Sequence, residues 1–124
     1  MLSNLPFFLH ILIETPAAFS FIFKPETQLP AVTDASRLIL RQYGGLLLAS
    51  NFVCLVTLFT ESRDIRGLLG ASLGFYHLWP SYRAFARLTR KVSGDVHGQA
   101  ALGGPMVHLG VHLIAFLSFA CVSL

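Results

Sequence analysis

The sequence predicts an all-α protein, an integral membrane four-helix bundle. Hydrophobic residues make up 54% of its 124 residues and charged residues 12%, whereas a soluble domain carries about 25% charged residues. The apolar residues fall into four runs, each close to the ~20 residues that cross ~30 Å of hydrocarbon. We therefore expect a single domain, residues 1–124, with spans at about 5–23, 37–60, 67–86 and 105–124.

The first two predicted helices have recognisable ends. Ser3 or Asn4 is expected to cap the first helix. Pro16 removes one backbone hydrogen bond inside it, which predicts a kink. Two prolines in the connector that follows stop helix formation. Thr33 or Asp34 is expected to cap the second helix.

The third predicted helix follows a short charged turn and carries a stripe of small residues. Because the turn, residues 61–66, is short, we expect the second and third helices to be antiparallel neighbours. The small-residue stripe consists of Gly67, Gly70, Ala71 and Gly74. Such a stripe lets helix backbones approach closely in lipid, within one chain or between copies in a homo-oligomer.

Basic residues concentrate at one end of the predicted bundle. The first and third connections and the adjoining helix ends carry Lys24, Arg37, Arg41, Arg83, Arg87, Arg90 and Lys91. The other end carries only Arg63 and Arg66. The positive-inside rule then places loops 24–36 and 87–104 in the cytoplasm and both termini in the lumen, and we expect the endoplasmic reticulum membrane. The basic cluster in the third connection is interpreted as a topology and lipid-headgroup signal, so no nucleic-acid partner is expected.

Glu14 is the first functional candidate because it lies in the middle of an apolar span. A carboxylate there costs several kcal/mol unless it is neutralised, paired or hydrated. Counting ~1.5 Å per residue from the basic end puts Glu14 and His77 both roughly 14 Å deep. Tyr43, Tyr76 and His112 come out at roughly 9 to 15 Å on the same rise, so all four helices offer polar groups at similar depths.

These depths predict a polar pocket under an apolar cap, open toward the cytoplasmic leaflet and accessible sideways between helices. The predicted catalytic residues are Glu14, His77, His112 and Arg41. The predicted substrate-binding residues are Tyr43, Asn51, Tyr76 and His108. In this hypothesis Glu14 works as general acid or base, a histidine takes the opposite role, and Arg41 tunes Glu14. Since Tyr76 and His77 are adjacent, at most one of them lines the pocket directly.

The same residues also allow structural interpretations. Glu14 could pair with a cation as interhelical glue, and Asn51 could form an interhelical hydrogen bond. His108 and His112, four residues apart, could form a metal pair or bond to neighbouring carbonyls. A haem between His77 and His112 is geometrically conceivable. We predict no metal and no cofactor.

Three parts of the first half of the chain carry a family resemblance. The segments Glu14–Pro16 and Arg41–Gly44, together with Asn51, resemble small four-span membrane proteins of filamentous fungi, some encoded beside polyketide or terpenoid biosynthetic genes. The resemblance implies an epoxide-opening hydrolase or cyclase. The architecture is also similar to sterol-isomerase-like four-helix proteins, in which acidic residues in the membrane shift a double bond. This chain has a single mid-membrane carboxylate, so a two-carboxylate mechanism is not expected.

We therefore expect a membrane-embedded acid/base enzyme, most simply an epoxide-opening hydrolase or cyclase of secondary metabolism. Its partners would be a lipophilic small molecule and the lipid bilayer. The alternatives are a double-bond isomerase of a sterol or terpenoid, and a non-enzymatic lipid-binding or assembly protein.

Overall fold

The structure, a computed structural model, describes residues 2–29, 31–89 and 103–123. Within these ranges the chain forms helices and no β-strand, which confirms the all-α four-helix fold. The four α-helices are α1 (Leu5–Phe23), α2 (Asp34–Leu58), α3 (Arg63–Thr89) and α4 (Gly104–Ser123). Two short 3₁₀ helices lie at Leu2–Asn4 and Pro25–Thr27. Most of the predicted basic loop 87–104 lies outside the described residues.

Among the described residues, three helices are long and apolar enough to cross a membrane by length and composition: α1, α2 and α4. This finding confirms the membrane character that the composition predicts. The third helix, α3, has 27 residues, and it is not one of the three. Charged side chains stand near both of its ends, for example Arg63 and Asp64 at the start and Arg87 in the last turn. That α3 crosses the membrane stays a prediction.

The start of α1 is held by a contact that the sequence did not predict. Asn4 occupies the N-cap position, but its side chain caps nothing. Its Oδ1 instead accepts a hydrogen bond from Arg66, which also donates to the Ser3 carbonyl oxygen at 2.9 Å. Arg66 donates further to the carbonyl oxygens of Thr57 and Thr60 at 3.1 and 3.3 Å. One guanidinium therefore ties the start of α1 to the end of α2.

The start of α2 is capped as predicted. Thr33 is the N-cap, and its Oγ1 accepts a hydrogen bond from the Ser36 backbone N–H at 3.1 Å. The Ser36 hydroxyl accepts one from the Thr33 backbone N–H at 2.9 Å. This reciprocal arrangement satisfies two of the backbone donors that a helix start leaves unpaired.

The bundle is built from two closely packed helix pairs. The pairs are α1 with α2 and α3 with α4, and contacts between α1 and α4 join them. The sequence predicts α2 and α3 as antiparallel neighbours, but the two helices contact each other only sparsely despite the short turn between them. A short turn fixes where the next helix begins, but helix packing depends on which faces allow close approach.

Glycines explain which helices approach most closely. A Cβ placed on Gly44 of α2 would lie 2.8 Å from the carbonyl oxygen of Ala18 on α1. A Cβ placed on Gly74 of α3 would lie 3.1 Å from Cβ of Phe119 on α4. The glycines of the small-residue stripe thus face α4 within the chain, while Ala71 is exposed. Both close pairs depend on residues without a side chain at the contact.

Two apolar clusters divide the core along the length of the bundle. One cluster consists of Phe7, Cys54, Leu73 and Phe119. The other consists of Ala17, Ala18, Phe21 and Leu47. On α1 the buried residues His10 and Glu14 lie between the parts that these clusters occupy. The apolar clusters therefore leave one level of the core for polar side chains.

Candidate functional site

Three helices place ionisable side chains at that level, which we call the polar layer: His10, Glu14, His77 and His112. All four side chains are buried, with exposed fractions of 2% or less. His10 and Glu14 lie one turn apart on the same face of α1, as residues four apart do in a helix. His77 comes from α3 and His112 from α4.

The three histidines form a continuous hydrogen-bonded chain, here called the histidine chain. Nδ1 of His10 lies 3.0 Å from Nε2 of His77. Nδ1 of His77 lies 2.8 Å from Nδ1 of His112. At the other end, Nε2 of His10 lies 2.9 Å from the hydroxyl oxygen of Ser50 on α2. Every helix of the bundle therefore contributes to one buried network.

The bonds of Ser50 set the direction of the histidine chain. Its hydroxyl donates to the carbonyl oxygen of Leu47 at 2.7 Å, so toward His10 it can only accept. A neutral His10 then carries its hydrogen on Nε2 and accepts at Nδ1 from Nε2–H of His77. Nδ1 of His77 in turn accepts from Nδ1–H of His112. The neutral tautomer of all three rings is assigned by this sequence of bonds.

Glu14 lies beside the histidine chain, and only one of its two carboxyl oxygens has a hydrogen-bond partner among the described residues. The Tyr76 hydroxyl donates to Oε2 at 3.2 Å, and the Tyr43 hydroxyl lies 3.3 Å from that of Tyr76. Oε1 is buried and has no hydrogen-bond partner among the described residues. It lies 3.8 Å from Nδ1 of His77 and 3.7 Å from Nδ1 of His112. Leaving a buried polar atom unpaired costs about 1–3 kcal/mol.

A cavity of about 360 Å³ opens on this carboxylate. It reaches from Glu14 and His112 to the end of the bundle where α1 and α3 end and α2 and α4 begin. The polar side chains around it include Tyr43, Tyr76, Arg83, Arg87 and His108, and the apolar ones include Phe21, Leu47 and Trp79. The cavity therefore combines apolar walls with an acid and a histidine at its inner end.

Most of the predicted site residues line this cavity. They are Glu14, Tyr43, Tyr76, His108 and His112. His77 does not line it but lies within the polar layer, in contact with His112. Of the adjacent residues Tyr76 and His77, only Tyr76 lines the cavity, although both side chains approach Glu14.

Two predicted site residues lie elsewhere. Arg41 is exposed on α2 and does not line the cavity, so it does not lie beside the buried carboxylate of Glu14. Two residues along a helix differ by about 200° in direction, so Arg41 cannot share the side of α2 that Tyr43 presents to the cavity. Asn51 donates from Nδ2 to the Thr15 hydroxyl at 3.0 Å, an interhelical bond between α2 and α1. The depth of a residue along a helix does not fix its direction around the helix, and direction decides which side chains reach the cavity.

His10 is the functional candidate that the sequence reasoning missed. It precedes Glu14 by four residues and therefore shares its helix face. That spacing was the available signal. Ser50, which fixes the direction of the histidine chain, has no comparable signal in the sequence.

The structure also bears on the haem and metal-pair alternatives. The nitrogens of His77 and His112 stand 2.8 Å apart, which leaves no room for an iron and its porphyrin between them. The rings of His108 and His112 contact each other with centroids 4.5 Å apart and an angle of 65° between their planes. This pair therefore shows an edge contact between rings.

A GxSxG pattern, Gly70–Gly74, occurs inside α3. Hydrolases that use this motif carry the serine on a sharp turn between a strand and a helix. Here Ser72 is exposed on a continuous helix, and its hydroxyl donates to the Leu68 carbonyl oxygen at 2.9 Å. The pattern is therefore part of the small-residue stripe and not a nucleophile.

No family model matches the chain, and no curated protein or solved structure matches it either. The resemblance to small fungal membrane proteins stays a prediction.

Proposed function

We propose that this protein is a membrane-embedded enzyme that performs acid/base chemistry on a lipophilic substrate. The observation that carries the proposal is the position of Glu14, which is 1% exposed and lines the inner end of an apolar-walled cavity. Buried ionisable groups inside membrane helices are expensive, so their retention favours a function. The free oxygen Oε1 has no structural partner among the described residues, which favours a chemical role over interhelical pairing.

The size and walls of the cavity support a lipophilic substrate. Small-molecule sites have volumes of roughly 300–1,000 Å³ and are lined mainly by apolar side chains with a few polar groups. The cavity of about 360 Å³ falls at the lower end of this range. Its walls include Phe21 and Trp79, and polar groups lie both beside Glu14 at its inner end and at its open end, where Arg83 and Arg87 stand.

Opening of an epoxide by water is the reaction that we propose first. Protonated Glu14 would donate its hydrogen to the epoxide oxygen while His112 takes a hydrogen from the attacking water. The new bond joins the water oxygen to one epoxide carbon, the old carbon–oxygen bond breaks, and a diol results. The glutamate and histidinium left behind lie 3.7 Å apart, so their charges stabilise each other until the proton returns.

A double-bond isomerase is the second candidate, and one observation favours it. Among the described residues that line the cavity, Glu14 is the only carboxylic acid. A single carboxylate can remove a proton from one carbon and return it to another, with Tyr76 and Tyr43 available to donate a hydrogen bond to a substrate oxygen.

We also propose that the cavity end of the bundle faces the cytoplasm in the endoplasmic reticulum. Arg83 and Arg87 line the cavity at this end, and Lys24 follows α1 there. The positive-inside rule supports this orientation. Engineered glycosylation sites test it: a site near residue 28 should stay unmodified, and a site near residue 61 should be modified.

A panel of lipophilic substrates tests the proposed reaction. The protein in lipid nanodiscs is incubated in ¹⁸O-labelled water with fatty and terpenoid epoxides, and separately with an unsaturated sterol ketone in deuterated water. Mass spectrometry should detect a diol with one ¹⁸O atom, or an isomer that has taken up deuterium. Binding of these compounds without any conversion would support the non-enzymatic lipid-binding alternative and overturn the proposal.

A further inference from the structure

We propose that Glu14, His77 and His112 form a binding site for a divalent transition-metal ion. Three atoms define the site: Oε1 of Glu14, Nδ1 of His77 and Nδ1 of His112. The sides of their triangle are 2.8, 3.7 and 3.8 Å. The point equidistant from its corners (product of the sides over four times the area) lies roughly 2.0 Å from each atom, the usual length of Zn–N and Zn–O bonds.

The unpaired oxygen of Glu14 is the second observation that points to a ligand. Oε1 is buried and lacks a hydrogen-bond partner among the described residues, although two ring nitrogens lie within 3.8 Å. A hydrogen on Oε1 would have no acceptor at hydrogen-bonding distance among the described residues either. A cation between the three atoms would satisfy this oxygen and both nitrogens at once.

The surrounding hydrogen bonds are those that orient metal ligands. Metal-binding histidines usually donate their second ring N–H to a fixed acceptor, and ligating carboxylates are themselves hydrogen-bonded. Nε2–H of His77 donates to His10, which Ser50 holds in turn. The Tyr76 hydroxyl donates to Oε2 of Glu14, which leaves Oε1 for the ion.

His10 belongs to this second layer of residues and not to the ligands. Ligand atoms of His10, Glu14 and His77 lie within 4.8 Å of one another, so His10 is close enough to be considered. Both of its ring nitrogens, however, bond to Nε2 of His77 and to Ser50, outside the triangle, whereas an ion would replace the bond between the Nδ1 atoms of His77 and His112. His112 places Nδ1 at a corner of the triangle and can bind the ion there as its neutral Nε2–H tautomer.

The site keeps an open side. Glu14 and His112 line the cavity, whereas His77 lies behind them. Catalytic zinc sites have three protein ligands and an open position for water or substrate. An ion in this triangle would therefore present its open position to the cavity.

Two imidazoles and one carboxylate indicate the class of ion. This set suits zinc, iron(II) and related first-row divalent ions, and it lacks the thiolate or thioether ligands that copper(I) prefers. Cys54, the buried thiol, lies in an apolar cluster with Phe7 and Leu73 and is not part of the site. Zn²⁺, Fe²⁺ and Co²⁺ are the probes that distinguish members of this class.

The experiment measures ion binding and not turnover. Detergent-solubilised protein is stripped with a chelator and titrated with each ion, and bound metal is counted by mass spectrometry. We expect one ion per chain and, for Co²⁺, visible absorption bands of a low-symmetry site. X-ray absorption of the wild-type complex should show only nitrogen and oxygen neighbours around the metal, two of them from imidazoles. This measurement uses the wild-type protein alone, so it does not depend on the folding of any variant.

Matched variants locate the site. Glu14→Gln and His77→Asn should each abolish stoichiometric binding, and Tyr76→Phe should weaken it about 10–100-fold by releasing the carboxylate. Glu61→Gln should bind as the wild type does, because Glu61 is exposed and is not a ligand. Failure of all three ions to bind, or undiminished binding in Glu14→Gln, overturns the inference.

The proposed metal site rests on the same residues as the proposed function, but different results overturn the two proposals. If the chelator-treated protein binds no ion and still converts substrate, the metal-site proposal is wrong and the acid/base enzyme proposal stands. If the protein binds one metal ion per chain but converts no substrate, the enzyme proposal is wrong and the metal-site proposal stands.

Discussion

His77 and His112 face each other through their Nδ1 atoms, 2.8 Å apart, in the centre of the bundle. Only one hydrogen fits between these atoms, and the bonds of Ser50 and His10 assign it to His112. The contact joins α3 to α4 at the level where Glu14 enters from α1. The buried carboxylate is therefore held in a network shared by several helices and not in a single ion pair.

Loss of His10 should destabilise the polar layer. In His10→Leu, Nε2–H of His77 loses its acceptor and stays buried. We expect the free energy of unfolding to fall by about 1–3 kcal/mol, measured by circular dichroism during unfolding in detergent. Ser118→Ala is the control, since the Ser118 hydroxyl donates to the Ala115 carbonyl oxygen within its own helix. Equal stability of His10→Leu and wild type would argue against the histidine chain.

The two neighbouring glycines of α2 should respond oppositely to alanine. In Gly44→Ala the new Cβ would lie 2.8 Å from the Ala18 carbonyl oxygen, so α1 and α2 must separate. We expect a loss of about 1–3 kcal/mol in unfolding free energy. Gly45 has nothing within 4 Å of its Cβ position, so Gly45→Ala should gain up to about 1 kcal/mol. A change in unfolding free energy of the same sign in both variants would contradict the close packing of α1 against α2.

Arg66 should control the order of the first turn of α1. Its guanidinium bonds to Ser3 and Asn4 and to the end of α2. In Arg66→Gln we expect faster hydrogen exchange in that turn and a stability loss of about 1–2 kcal/mol, since the side chain is partly exposed. Arg63→Gln, at an exposed position, is the control, and hydrogen exchange in the first turn of α1 should be the same in it as in the wild type. Unchanged protection in Arg66→Gln would refute the anchoring role.

Filling the cavity should block binding without disturbing the polar layer. Ala84 lines the cavity and is 2% exposed, so Ala84→Phe places a ring inside it. Trp79, the single tryptophan, also lines the cavity and reports occupancy by fluorescence. We expect a sterol ketone to quench Trp79 in the wild type and in Ala71→Phe, an exposed control, but not in Ala84→Phe. Quenching in all three proteins would place the ligand elsewhere.

The sequence predicted the helices and several site residues because both follow from one-dimensional patterns. Apolar run length gave the helices, and rise per residue brought Glu14, Tyr76 and His112 to a common depth. The cap at Thr33 followed from its residue type and position.

The parts that the sequence did not predict depend on direction around a helix and on pairing between helices. Arg41 is exposed on α2 and does not line the cavity, and His10 shares the face of Glu14 on α1. The partner choice of α3 depends on Gly74 fitting against Phe119, a fit between two surfaces. Such a fit involves residues far apart in the chain, so no local pattern encodes it.

We propose that the buried carboxylate of Glu14 performs the chemistry. The measurement compares product formation by wild type, Glu14→Gln and Glu61→Gln in nanodiscs, on the substrate that the wild type converts. Glu61 is exposed, so its amide variant controls for the chemical change alone. We expect Glu61→Gln to match the wild type and Glu14→Gln to lose about 10²–10⁴-fold in rate while folding and binding normally. Wild-type turnover by Glu14→Gln would show that this carboxylate does not perform the chemistry.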